Sequence, residues 1–325
     1  MRTPGGRPGV WLAALLLLAA CFALGIAVGG VPLRFADLWS GGGAASESAR
    51  LIANLRAPRV LLAALVGACL ALSGAALQAL LKNPLADPFL IGTSGGAAAG
   101  AALATLFGVS PLLSPGAAFA GAVVSSLGVA ALARRGGRLD LQRLLLAGLI
   151  ANAFFSAVLL GVFSLASTET ARTMLFWMMG SLADASYGKP LALLPYAAVG
   201  TAALVVSASR LNLFAVGEEN AAALGVDTER SKAVVFLAAS LVTGAAVAFA
   251  GVIGFVGLLV PHAGRAIVGN DQRVLLPFSA VLGAALLVAA DAVSRVAAAP
   301  SELPIGAVTA AIGAPLFAWL LLRTP

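Results

Sequence analysis

The feature that most constrains this chain is a succession of ten apolar runs, each close to the ~20 residues a helix needs to cross the hydrocarbon core of a bilayer. They fall at about 11–29, 58–81, 90–108, 115–133, 142–166, 190–208, 232–249, 251–268, 274–293 and 304–322. None shows the apolar/polar alternation of a membrane-barrel strand. Composition closes the soluble alternative: 61% of the residues are hydrophobic and only 10% are charged, against roughly 25% charged in soluble domains. A soluble globule of this size has too little interior to hide that surface. The expectation is an all-α polytopic membrane protein, with about ten transmembrane helices forming a single transmembrane domain over residues 1–325.

The first run, preceded by Arg2 and Arg7, superficially resembles a secretory leader, and Leu18 to Cys21 a lipoprotein cleavage box. A retained first helix is the better reading, because the chain that follows inserts without a leader. Cys21 and Cys69 both sit in apolar runs and read as core residues. Orientation follows from the placement of Lys and Arg. With ten spans, thirteen basic residues (Arg2, Arg7, Lys82, Arg134, Arg135, Arg138, Arg143, Arg210, Arg230, Lys232, Arg265, Arg273, Arg323) fall on the side of the termini. Seven (Arg34, Arg50, Arg56, Arg59, Arg172, Lys189, Arg295) fall on the other. Both termini are therefore expected in the cytoplasm. The net charge of +7 reflects this bias and not a nucleic-acid partner.

Ion-coupled transporters place ionisable groups near the middle of their spans. Here no Asp, Glu, Lys or Arg is expected there; Asp291 comes closest, about a turn from the outer end of the ninth run. The interior polar residues are mild (Ser73, Gln78, Asn152, Ser156, Ser240, Thr243) and suit interhelical hydrogen bonds. No catalytic constellation, cofactor motif or metal-ligand cluster is expected, since a lone His262 has no partner to activate. A phosphate-binding loop is also missing from the sequence, so if ATP drives transport, the ATPase is a separate chain. An ion-coupled secondary transporter is the alternative of another class.

The longest inner connection, 210–231, reads as a docking element. Glu218 to Leu224 has helical character, Gly225 suits the helix C-terminus, and Asp227 or Thr228 can cap the next helix. A helix, a glycine turn and a second helix start are more order than a plain connector requires.

Gly217-Glu218 followed by Ala-Ala-x-Leu-Gly resembles the coupling helix of the iron-chelate and vitamin B12 permease family (FecCD type), membrane subunits of binding-protein-dependent ABC importers. Further blocks agree in order: Leu55–Arg59, Ser73 to Gln78, Asn83–Pro88, Phe176–Ser181, Gly254–Leu258 with Pro261, His262 and Arg265, Glu302–Gly306, and Gly313–Pro315. The resemblance implies a permease of the bacterial inner membrane that translocates an iron chelate (ferric siderophore or haem) or, alternatively, vitamin B12. Its partners would be two copies of a cytoplasmic ATP-binding subunit, a periplasmic or surface-tethered substrate-binding protein, and a second permease copy, identical or closely related. It implies ATPase coupling through Gly217, Glu218, Ala222, Leu224 and Gly225. It implies a cytoplasmic gate at Asn83, Pro84 and Leu85, with Asp140 and Leu141 as a second inner gate. It also implies docking of the binding protein by Arg56, Arg59 and Arg295 as exposed outer-face guanidinium groups.

Overall fold

A computed structural model of the chain describes residues 8–29, 49–110 and 112–323. Arg2, Arg7 and Arg34, used above to orient the chain, lie outside these residues. The described chain is helical, with one short hairpin, and each of the ten apolar runs falls on a helix. The helices are α1 (Pro8–Ala27), α2 (Ala57–Leu80), α3 (Thr93–Leu106), α4 (Ser114–Ala133), α5 (Leu141–Leu165), α6 (Thr168–Met178), α7 (Gly188–Val206), α8 (Ala208–Val216), α9 (Glu218–Ala223), α10 (Thr228–Ala250), α11 (Val256–Val268), α12 (Gln272–Val296) and α13 (Ile305–Arg323). Among the described residues, seven helical segments are long and apolar enough to cross a membrane. The remaining apolar runs fall on the shorter α3 and α11 and on α13. The hairpin pairs β1 (Arg134–Arg135) with β2 (Arg138–Leu139) between α4 and α5.

The helix ends follow local chemistry. Asp140, Ser167, Asp227 and Asp271 sit just before α5, α6, α10 and α12, where their side-chain oxygens accept free backbone N–H groups. Prolines stand in the first turns of α2 and α4, where no N–H is needed. α2 continues an upstream stretch through a wide π turn at Ile52–Arg56, so one helix runs from Ala49 to Leu80.

α2, α10 and α12 form the centre, and most of their residues are buried. α2 crosses α12 at Gly67 and Gly283, where a Cβ on either residue would overlap the other's backbone. Close backbone approach of this kind is how small residues pack helices when lipid supplies no hydrophobic contrast. α5 remains on the outside, exposing Leu146, Leu149, Ile150 and Phe154.

Two differences from the expected spans have a physical cause. The run at 251–268 becomes helical only at Val256; Gly251 (φ +72) and Phe255 (φ +69) break the backbone before it. Two other irregular segments pair beside this break. Ser181 donates its N–H to the Ala250 carbonyl at 2.9 Å, Ile305 to Gly180 at 3.2 Å and Gly306 to Met179 at 3.1 Å. Non-helical backbone among apolar helices needs such internal partners. The segment after α5 also forms a helix, α6, on which Met174 is buried and the neighbouring Leu175 and Phe176 are exposed.

Candidate functional site

The inner connection folds as α8, a break at Gly217, α9, and a turn at Gly225 leading into α10. Gly217 adopts φ +131 and Gly225 φ +82, a region that side chains rarely enter, so these two residues set the corner geometry. α9 ends at Ala223, with Leu224 as its C-cap. Ala221 is fully buried against the body, whereas Ala222, Leu224 and Gly225 face outward. Val216, not singled out from the sequence, is 68% exposed, as is Leu224. The tip is therefore a small apolar knob on a charged end of the molecule. Glu218 differs: its carboxylate turns back to Lys232 Nζ at 2.7 Å. Sequence reasoning used Lys232 only to orient the chain; its place near the start of α10, three residues after Glu229, was the available signal.

The Asn83–Leu85 segment is a tight turn. Asn83 Oδ1 accepts the Leu85 N–H at 2.9 Å, and the Ala86 N–H bonds the Asn83 carbonyl at 3.0 Å. Leu85 is 44% exposed. Asp87 follows, accepts the Phe89 N–H at 2.8 Å and starts a 3-10 turn over Pro88–Ile91. Asn152 of α5 holds the far end of this segment by donating to the Phe89 carbonyl at 3.0 Å. Gly148 lets α5 approach the Leu90 backbone directly. Asp140 and Leu141 stand at the start of α5, where Asp140 accepts the N–H groups of Gln142 and Arg143 at 2.9 and 3.1 Å. These bonds, that to Arg143 first, hold its carboxyl below the ordinary carboxylate range. The contact between the Asn83–Ile91 segment and α5 thus runs through Gly148 and Asn152, further along the helix than Asp140 and Leu141.

Beside the Asn83–Ile91 segment lies an open cavity of about 430 Å³. Its walls are mainly apolar (Phe89, Leu159, Met178, Phe255, Leu258), and Asp87, Ser94, Asn152 and Ser156 supply a polar strip. Burial raises the Asp87 carboxyl to about 6, partly offset by the Phe89 N–H. α11 is fixed next to the cavity by Gln78, which donates to the carbonyls of Gly257 and Ala86, each at 3.2 Å, and accepts a bond from Arg265.

The outer arginines require a correction. Arg56, Arg59 and Arg295 are 6%, 8% and 4% exposed and do not present free guanidinium groups. Arg59 Nε meets Asp291 Oδ1 at 2.9 Å, and Arg59 Nη1 meets Glu302 Oε2 at 2.9 Å. Arg295 Nε lies 3.1 Å from Asp291 Oδ2 and also donates to the carbonyls of Val28 and Gly25 at 2.8 and 2.9 Å. Arg56 donates to the carbonyls of Ile26 and Ala27, both at 2.7 Å. The physical reason is the C-terminal end of α1. Its last carbonyls have no intrahelical donors, and cations suit the negative end of a helix. Asp291 is fully buried, more deeply than its place near a span end suggested, and a buried carboxylate needs paired cations.

The FecCD transport family model matches residues 16–323. The chain is 40% identical over 329 residues to the hemin transport system permease protein HmuU of Yersinia pestis, covering 98% of this chain and 96% of that one. It is 45% identical over 277 residues to the cobalamin import system permease protein BtuC of Halobacterium salinarum, covering 83% of this chain and 73% of that relative. Among solved structures, one described as an inward-facing conformation of a metal-chelate type ABC transporter matches with a TM-score of 0.89 and 33% identity, over 98% of this chain and all of that one. The apolar helix set and these matches agree, and the chain belongs to the FecCD transport family, as a permease, the membrane component of an ABC transporter.

Proposed function

We propose that this chain is one of two permease subunits that pass an iron chelate, a ferric siderophore or haem, across the cytoplasmic membrane, driven by ATP hydrolysed on separate subunits. The observation that carries the coupling half of this reading is the exposed knob of Val216, Ala222 and Leu224, on a tip whose Glu218 is paired back to Lys232. Exposed apolar side chains at a charged end fit a groove on a soluble partner. The pathway half rests on the cavity beside α5 and α11. Its wall is apolar with few polar groups, which suits passage of a bulky cargo without tight capture. The exposed face of α5 borders it and is the surface for a second copy. Asn83–Leu85, with Asp140 and Leu141 at the start of α5, is proposed as the inner closure. The end that carries Arg56, Arg59 and Arg295 is proposed to face the binding protein, with the arginines as supports beneath that surface.

Corrinoid cargo is the second reading, favoured by the 45% identity to the Halobacterium cobalamin permease. One experiment separates the two. The permease is reconstituted in vesicles with its ATP-binding subunit and binding protein, and uptake of ferric siderophore, haem and cobalamin is measured. ATP-dependent uptake of an iron chelate supports the first reading and uptake of cobalamin alone the second. Uptake driven by an ion gradient without ATP overturns both.

A further inference from the structure

The cluster that these roles leave unused is a clasp at the inner end of α10. Lys232 is 3% exposed, and its ammonium group has three donors. One goes to Glu218 Oε1 at 2.7 Å, one to Glu229 Oε1 at 2.5 Å and one to the Leu139 carbonyl at 2.8 Å. The second oxygen of Glu229 accepts the Leu139 N–H at 2.6 Å. Lys232 and Glu229 therefore grip both backbone groups of Leu139. Leu139 directly precedes Asp140, whose carboxylate caps α5. Glu218 is the first residue of α9. A single buried charge thus joins the coupling tip, α10 and the start of the helix that lines the cavity.

We propose that Lys232 is a positioning residue that transmits displacement of α9 to α5. An apolar contact at this point would let the elements slide. The buried ammonium group bonds Glu218, Glu229 and the Leu139 carbonyl at once, so a displaced Glu218 either pulls on it or gives up a charge-assisted bond. Motion delivered to Leu139 enters α5 at its capped end. It reaches Asn152, Ser156 and Leu159 in the cavity wall and, through the Asn152 bond, the Phe89 end of the Asn83–Ile91 segment. The inference rests on the proposal that α9 meets the ATP-binding subunit.

The test uses the complete importer in vesicles and reads cargo moved per ATP hydrolysed. Glu218→Ala removes only the α9 arm, at a carboxylate that is 42% exposed. Lys232→Met removes the hub, and Lys232→Arg keeps a charged donor in place. The cargo-to-ATP ratio should fall roughly tenfold in the first two, the middle of the range for single residues in a coupling network. Lys232→Arg should recover most of it. A lower melting temperature with an unchanged ratio in Glu218→Ala would make the clasp a staple and overturn the inference. If Lys232→Met does not fold, Glu218→Ala still decides. A Leu224→Arg complex that retains its ATP-binding subunit and full coupling would refute the α9 contact itself, independently of the clasp.

Discussion

Replacing Arg295 by Met should unfasten the outer end of α1. In the native chain the Arg295 guanidinium reaches Asp291 and the carbonyls of Gly25 and Val28. The substitution leaves Asp291, whose side chain is 1% exposed, with Arg59 as its remaining ionic partner, and leaves two helix-end carbonyls without this donor. Breaking a buried pair by removing one member costs about 3–5 kcal/mol, and Arg295→Met should lie in that range. Arg59→Met should cost less, because Asp291 keeps Arg295 and the freed Glu302, 41% exposed, can be solvated. Combining Arg295→Met with Asp291→Asn removes both charges together, so the double variant should be more stable than the sum of its parts by roughly 0.5–3 kcal/mol. The assay is reversible unfolding of the purified permease in mixed micelles, run beside binding-protein affinity across a salt series. If Arg295→Met keeps wild-type stability and loses only salt-sensitive affinity, the side chain works at the surface and the burial argument is wrong.

Leu224→Arg should leave stability within about 0.5 kcal/mol, since an exposed surface site is replaced, while co-purification of the ATP-binding subunit and ATP-dependent uptake are lost; retained co-purification would remove the knob from that interface. Leu85→Cys should form a disulfide between two permease copies under mild oxidation, read on a non-reducing gel. Absence of the dimer band in every nucleotide state would take Leu85 out of the closure. Asp87 has a carboxyl raised to about 6 by burial. The folded state therefore holds its proton more tightly than the unfolded chain does, and stability should fall as pH rises from about 4 through about 6 and level off above. Asp87→Asn keeps an acceptor for the Phe89 N–H and should flatten that part of the profile, measured as melting temperature against pH. An unchanged slope would place the titration elsewhere.

The sequence revealed the helices well because hydropathy is a local property summed over twenty or so residues. The runs at 58–81, 115–133 and 142–166 match α2, α4 and α5 to within a residue or two. It failed where the deciding partner is distant in the chain. α11 starts at Val256 and not at 251 because Gly251 and Phe255 take positive φ, beside an Ala250 carbonyl bonded by the distant Ser181, which no local window registers. Positive charge near a span end suggested a surface for Arg59, yet its counterion Asp291 lies 232 residues away. Face periodicity carried the missing hint. Arg59 shares a helical stripe with Ala63, Val66 and Leu70, all buried, and Arg295 follows Asp291, Val288 and Ala284 along the buried face of α12. A charged side chain on an otherwise apolar stripe that faces protein must find its partner inside the protein. The charge count had placed Arg56, Arg59 and Arg295 together at one end; the periodicity explains why they are buried there.

Lys232 shows the same logic at the opposite end. As a basic residue at the foot of a helix it looked like one more member of the inner positive set. The carboxylates of Glu218 and Glu229 and the backbone of Leu139 converge on it from three elements. In an apolar helix bundle the few charged groups that are buried cannot be exchanged among partners, so each fixes a geometry. Asp291 with its arginines fixes α1, α2 and α12 at one end, and Lys232 with its glutamates fixes α9, α10 and the entry to α5 at the other. The helices between pack through small residues such as Gly67 and Gly283. The arginine cluster therefore anchors the end of α1, while the Lys232 clasp ties the start of α5 to α9, so a displacement of the tip enters the bundle at one end and works against a fixed point at the other.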